Sequence, residues 1–295
     1  MSFPLLLPLL LSTTDAAGIA SPYASALPRE IVEKKAEEDR RRREAAAQDV
    51  ALPAAPRTGG CLGAVEADPE RSAQVARDAM ADVVGRERVR AGLCLGAALS
   101  ELGRWDEARQ AFADARDAAA EDDHASRARL GAMAGNAALA GGQPGQALSL
   151  LAPAAAEART AGDTALTASI ALDRARALVA VNQPEEAATA LAQAREAEPD
   201  NAQAWLLSAT LSRRQNKLIE AQAQIEKAAQ IAPRDPEIGL EAGVIAVLAG
   251  KDDAARRSWN AVLAMAPESD TAATARQYIA QLGQAPVGLE GGARP

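Results

Sequence analysis

The chain has 295 residues, 48 % hydrophobic but only 2 % aromatic, so its apolar content rests on Ala, Leu and Val. Ala is the strongest helix former, and long Ala-rich runs with few aromatic or β-branched residues argue against a sheet and for closely packed helices. A formal charge of −8 argues against a nucleic-acid partner, because duplex binding rests on Lys and Arg neutralising phosphates.

The first feature in chain order is Phe3 to Leu11, apolar throughout but short of the roughly 20 residues that span a bilayer, so no stable membrane span is expected. Ala24-Ser25-Ala26 supplies the A-x-A pattern that a signal peptidase accepts, and the spacing predicts an export signal over residues 1–26, cleaved before Leu27. Gly18-Ile19-Ala20 is an alternative cleavage site. The usual positive start is missing, since no Lys or Arg precedes Leu11. A periplasmic or cell-envelope location is therefore the expectation, with a cytoplasmic one as the alternative. Between residues 27 and 50 carboxylates stand four residues ahead of cations: Glu30 with Lys34, Glu37 with Arg41, Glu38 with Arg42, Asp39 with Arg43. Such pairs support an exposed helix by about 0.2–0.5 kcal/mol each. Without an apolar face this reads as a solvated linker helix, the competing reading being a basic docking patch. Pro53, Pro56 and Gly59-Gly60 break the linker, which covers residues 27–60, and a domain begins near Cys61.

From Cys61 the chain repeats. In Gly96, Ala108, Phe112 and Ala115 a small residue is followed at intervals of 12, 16 and 19 by small, large and small residues. The frame returns in Gly135, Ala147, Leu151, Ala154, then in Ala175, Ala187, Leu191, Ala194, then in Ala209, Ala221, Ile225, Ala228, and last in Gly243, Ala255, Trp259, Val262. Successive starts lie 39, 40, 34 and 34 residues apart. Seven residues after each start stands Gly103, Gly142, Asn182, Asn216 or Gly250, residue types that accept the left-handed backbone of a helix C-terminal cap. Each unit is thus a helix, a turn and a second helix. Pro199, Pro233 and Pro267 stop the second helix of the last three units, and Glu198-Pro199-Asp200-Asn201 and Pro233-Arg234-Asp235-Pro236 join such a stop to an N-cap-type residue. Residues 61–85 read as a degenerate first unit with Pro69 opening its second helix. Thr271 to Leu282 reads as a terminal capping helix, closed by Gly283, and residues 284–295 as a flexible tail.

Gly103-Arg-Trp-Asp-Glu-Ala108-Arg-Gln-Ala-Phe112, Gln183-Pro184-Glu185-Glu186-Ala187 and Ala204-Trp205-Leu206-Leu207 resemble tetratricopeptide repeats, and the likeness extends over residues 61–283. The resemblance implies an all-α fold, an α-solenoid of five full repeats with a concave groove lined by the first helices. It departs from the family pattern in the 39- and 40-residue units, which carry about a turn and a half of extra helix or loop, and in Ala175 and Ala209 where glycine is usual. The resemblance places Arg90, Leu93 and Ala97, then Arg129, Ala132 and Asn136, then Leu172 and Arg176, then Leu206, Thr210 and Arg213 on the groove. Arg90, Arg129, Asn136, Arg176 and Arg213 are the candidate peptide-binding residues, and an Arg cluster suits an acidic segment through bidentate pairing with carboxylates. The alternative is that these Arg only solvate the groove. The family's Lys and Asn carboxylate clamp is not reproduced, with only Asn136 resembling it. Leu240, Val244 and Val247 continue the face as an apolar patch expected to be covered by the terminal helix.

The implied function is a non-catalytic interaction scaffold for a protein or peptide. The alternatives are a self-assembling structural subunit of an envelope complex, hence a homo-oligomer, and a regulatory protein attached to an enzyme system. No catalytic, cofactor-binding or metal residue is assigned. His124 is the single histidine, in an acidic stretch expected to start a helix, and catalysis or metal binding normally gathers several ligating or titratable groups. Cys61 and Cys94 stand nearly one repeat apart. Because first helices of adjacent units lie side by side in such a stack, the two can face each other, as a disulfide in an oxidising compartment or as two buried small residues. Trp105, Trp205 and Trp259 are expected to pack rather than to stack on a ligand.

Overall fold

The computed structural model describes residues 61–283. The expected export signal (1–26), charged linker (27–60) and tail (284–295) lie outside the described residues. The chain divides into units Met1–Arg57 and Thr58–Pro295, and the described residues all belong to the second. They form helices and no strands. An incomplete pair, α1 (Cys61–Ala67) and α2 (Pro69–Asp82), comes first. Five full pairs come next: α3 (Gly85–Glu101) with α4 (Trp105–Ala118), α5 (His124–Ala140) with α6 (Pro144–Thr160), α7 (Thr164–Ala180) with α8 (Pro184–Ala197), α9 (Ala202–Arg214) with α10 (Leu218–Ile231), and α11 (Pro236–Leu248) with α12 (Asp252–Met265). α13 (Asp270–Gly283) closes the stack.

The helix boundaries reflect local chemistry. All five expected turn residues have positive φ, and the two that are not glycine, Asn182 and Asn216, sit at 60° and 59°, a conformation Asn tolerates better than other side chains. Asp68, Asp123, Asp163, Asn201 and Asp235 each accept a backbone N–H from the first turn of the helix they precede, satisfying donors that the helix cannot. Pro69, Pro144, Pro184 and Pro236 open helices, where the missing N–H costs nothing.

Packing explains the repeated small residue. A Cβ at Gly96 would stand 2.4 Å from the Phe112 ring, and one at Gly243 would stand 2.0 Å from Trp259. A Cβ at Gly135 would likewise stand 2.6 Å from Leu151, so the first helix approaches the second closely where it carries little bulk, and Ala175 and Ala209 pack in the same clusters as Leu191 and Ile225. The long units owe their length mainly to helix: α5 and α7 run 17 residues where α9 and α11 run 13, and α6 runs 17 where α8 runs 14. The core is a series of alanine-rich clusters strung along the stack, with Leu99, Leu151, Ile170, Ile225, Ile245 and Val262 fully buried. No helix among the described residues is long and apolar enough to cross a membrane.

Candidate functional site: the inner face of the first helices

In a stack of helix pairs the second helices complete the core, and the residues left for a ligand are those on the first helices that face neither partner. From α5 onward the crevices between one first helix and the next draw on recurring registers, counted from the small residue at 135, 175, 209 or 243. From the leading helix come the residues one and four positions after it. From the following helix come those two before, one after and five after it.

The four crevices from α5 onward differ sharply in how these positions are filled. Between α5 and α7 stands Asp173, a buried carboxylate that accepts from Arg176 Nη1 at 2.7 Å. Burial pushes this carboxyl up, against the opposing pull of Asn136 and Arg176. Between α7 and α9 the crevice is open, a cavity of about 220 Å³ with Val179, Leu207 and Leu211 on its walls, Leu191 at its base and Arg176 and Arg214 on its rim. Between α9 and α11 it is closed by a two-pronged pair, Arg213 donating to Glu241 at 2.6 and 3.3 Å. Between α11 and α13 it is open again, a cavity of about 350 Å³ bounded by Val244, Val247, Leu248, Tyr278 and Leu282 over Trp259.

This distribution refines the expected arginine cluster. Arg213 lies within the α9–α11 ion pair, with its side chain only 21 % exposed. Arg176 is anchored by Asp173 but half exposed. Arg129 is well exposed, with Asp163 3.9 Å away across the loop before α7. Arg90 borders a separate cavity of about 780 Å³ with Arg86, Asp122 and Asp123. Asn136 is exposed beside Asp173, whereas Ala132, Leu172 and Leu206 are buried and belong to the core. Three residues escaped the sequence reading: Asp173, Glu241 and Arg214. The first two share a register, two before the small residue, that is Cys94, Met133 and Leu207 in the other units. Carboxylates there were the available signal.

The remaining candidates have structural surroundings. His124 opens α5, and its Nδ1 lies 2.6 Å from Glu157 Oε2 in α6, while Arg127 Nε donates to Oε1 at 3.0 Å. Those two hydrogen bonds, from His124 first, hold the Glu157 carboxyl below the usual range. Cys61 in α1 and Cys94 in α3 form a disulfide with Cα atoms 5.8 Å apart. Trp205 donates to the Pro199 carbonyl at 2.8 Å beneath the Arg195 guanidinium, and Trp259 is buried, donates to the Leu240 carbonyl and meets Tyr278 at 5.3 Å. α13 packs on Leu240, Val244 and Val247 as expected, yet leaves the last cavity open beside them. Among the described residues no group of three metal-ligating side chains comes together.

Known proteins share this architecture. The chain matches the family described as tetratricopeptide repeat over residues 168–211, which span most of α7, all of α8 and most of α9. No curated protein matches it. Among solved structures it resembles BtubC (BKLC) from P. vanneervenii at 17 % identity, covering 81 % of this chain and 98 % of that one with a TM-score of 0.56. It resembles pilF of Pseudomonas aeruginosa at 14 % identity, over 74 % and 94 % of the two chains, TM-score 0.57. MamA 41-end from Desulfovibrio magneticus RS-1 aligns at 14 % identity over 64 % and 99 %, TM-score 0.51.

Proposed function

We propose that the chain is a tetratricopeptide-repeat scaffold, non-catalytic, that captures a segment of another protein on its inner face, a reading supported by the repeat match over residues 168–211. The observation that carries this reading is the open crevice between α7 and α9, where an apolar wall left uncovered by the stack is rimmed by Arg176 and Arg214. Apolar walls with a few placed polar groups are the general make-up of a binding site, and the two guanidinium groups select a segment bearing carboxylates. A surface held by stacked helices is formed before the ligand arrives, which limits the ordering cost of capture.

The test is crosslinking in living cells with wild type and with an Arg129→Glu/Arg214→Glu variant, both positions being exposed and outside the core. Loss of the captured species in the variant is the expected result. The same set of captured species from both proteins removes the reading.

Self-assembly is a second reading, supported by a separate observation at the start of the stack. α1 is only 7 residues long, half a first helix, and it leaves a cavity of about 510 Å³ walled by Ala64, Val75, Ala76, Ala79 and Ala91. Light scattering on the purified protein decides it: a dimer that Val75→Asp converts to a monomer supports assembly through this end.

We also propose that the protein is exported and works in the cell envelope after cleavage before Leu27. The Cys61–Cys94 bridge supports this, since disulfides persist in oxidising compartments. Sequencing the N-terminus of the mature protein tests it; a start at Met1 in a cytoplasmic fraction refutes it.

A further inference from the structure

We infer that the captured segment carries two aliphatic side chains about six residues apart, with a carboxylate beside one of them. This rests on the capture reading above and adds the chemistry of the ligand. The two open crevices are the same site repeated: Arg176 and Val179 in α7 hold the registers that Val244 and Val247 hold in α11, and Arg214 in α9 holds that of Leu282 in α13. The crevice between them has the same registers but is shut by Arg213 and Glu241. The one preceding them is occupied by Asp173 with Arg176. From α5 onward this leaves two sockets with one closed step in between.

Helix packing sets the spacing. Neighbouring helices stand about 10 Å apart, so two steps place the socket centres roughly 20 Å apart. An extended chain rises about 3.3 Å per residue and covers that distance in about six. The walls assign the side chains. The α7–α9 socket takes a branched aliphatic group against Val179, Leu207 and Leu211, and its rim cations place the carboxylate there. The α11–α13 socket has no charged lining residue and takes the second apolar group against Val247, Leu248 and Tyr278. The intervening residues cross the Arg213–Glu241 pair, whose charges already satisfy each other, so the spacer needs no charge of its own.

The experiment is fluorescence anisotropy on the purified protein with labelled synthetic peptides. Each carries two Leu in a Ser-rich chain, with an Asp beside one Leu and spacings of about three, six and nine residues. Affinity is expected to peak at the middle spacing, by about tenfold or more. Val179→Arg and Leu248→Glu should each abolish the peak. Val179 and Leu248 are 38 % and 53 % exposed, so neither change loads the core, and Val179→Ala should give an intermediate loss. Affinity indifferent to spacing, or a peak that survives both variants, overturns the two-socket inference. Loss of binding in Arg129→Glu without any effect of the socket variants leaves the capture surface standing and removes the sockets. Binding untouched by every variant, or absent for every peptide, removes both.

Discussion

Asp173 is the one buried charged side chain among the described residues, and its energetics can be read by titration. Burial raises its carboxyl above the usual range, so the folded protein holds that proton more tightly than the unfolded chain does. Above the raised value the ionised group burdens the fold, and the burden lifts as pH falls through the interval between the raised value and the ordinary one, about 3.9. Asp173→Asn keeps an acceptor for Arg176 and removes the buried charge. Thermal unfolding should therefore show a higher Tm than wild type at neutral pH, with the gap narrowing as the solution is acidified through that interval. A lower Tm for the variant at neutral pH would mean that the ion pair with Arg176 outweighs its desolvation. The same residue marks where sequence reasoning about the site ran out. Register alone put Arg176 and Arg213 on the first helices, but whether each arginine faces a ligand or a neighbour depends on carboxylates such as Glu241, 28 residues away in sequence.

At the scale of single elements the fold was largely legible, because the signals that set it are local. Glycine or asparagine seven residues after each small residue marked the turns, and the positive φ at all five positions reflects what those residue types tolerate. The extra length of the second and third units was less legible: composition could not decide between loop and helix, and the structure spends it mostly on one additional turn in α5, α6 and α7. Asn216 offers a direct test of the turn argument. Ala in the left-handed region costs about 1–2 kcal/mol relative to the right-handed one, whereas glycine carries no such penalty. Asn216→Ala should lower unfolding free energy in urea by about 1 kcal/mol, with Asn216→Gly near wild type. Equal stability of the two variants would show that the turn does not rely on backbone conformation.

For the molecule as a whole, a stack in which each pair touches only its neighbours has a stability built from local terms, and its ends are the weak points. The two ends are treated differently. α13 leaves Arg276 and Gln277 exposed and packs Tyr278, Ile279 and Leu282 against the last full pair, a side-chain solution. The other end has a first helix too short to cover its pair, and there the covalent link from Cys61 to Cys94 ties α1 to α3. Closing a loop of 33 residues removes chain entropy equivalent to roughly 3.5–4 kcal/mol in the unfolded ensemble. Because nearest-neighbour coupling confines that contribution to the end it serves, reduction should not weaken the stack evenly. Hydrogen exchange on the oxidised and reduced protein should show amides of α1 and α2 losing up to several hundredfold in protection, while those of α7 to α10 keep theirs. A uniform loss along all helices would show one cooperative block instead of a chain of units. Unchanged protection in α2, or two titratable thiols in the unreduced denatured protein, would show that the bridge does not hold this end.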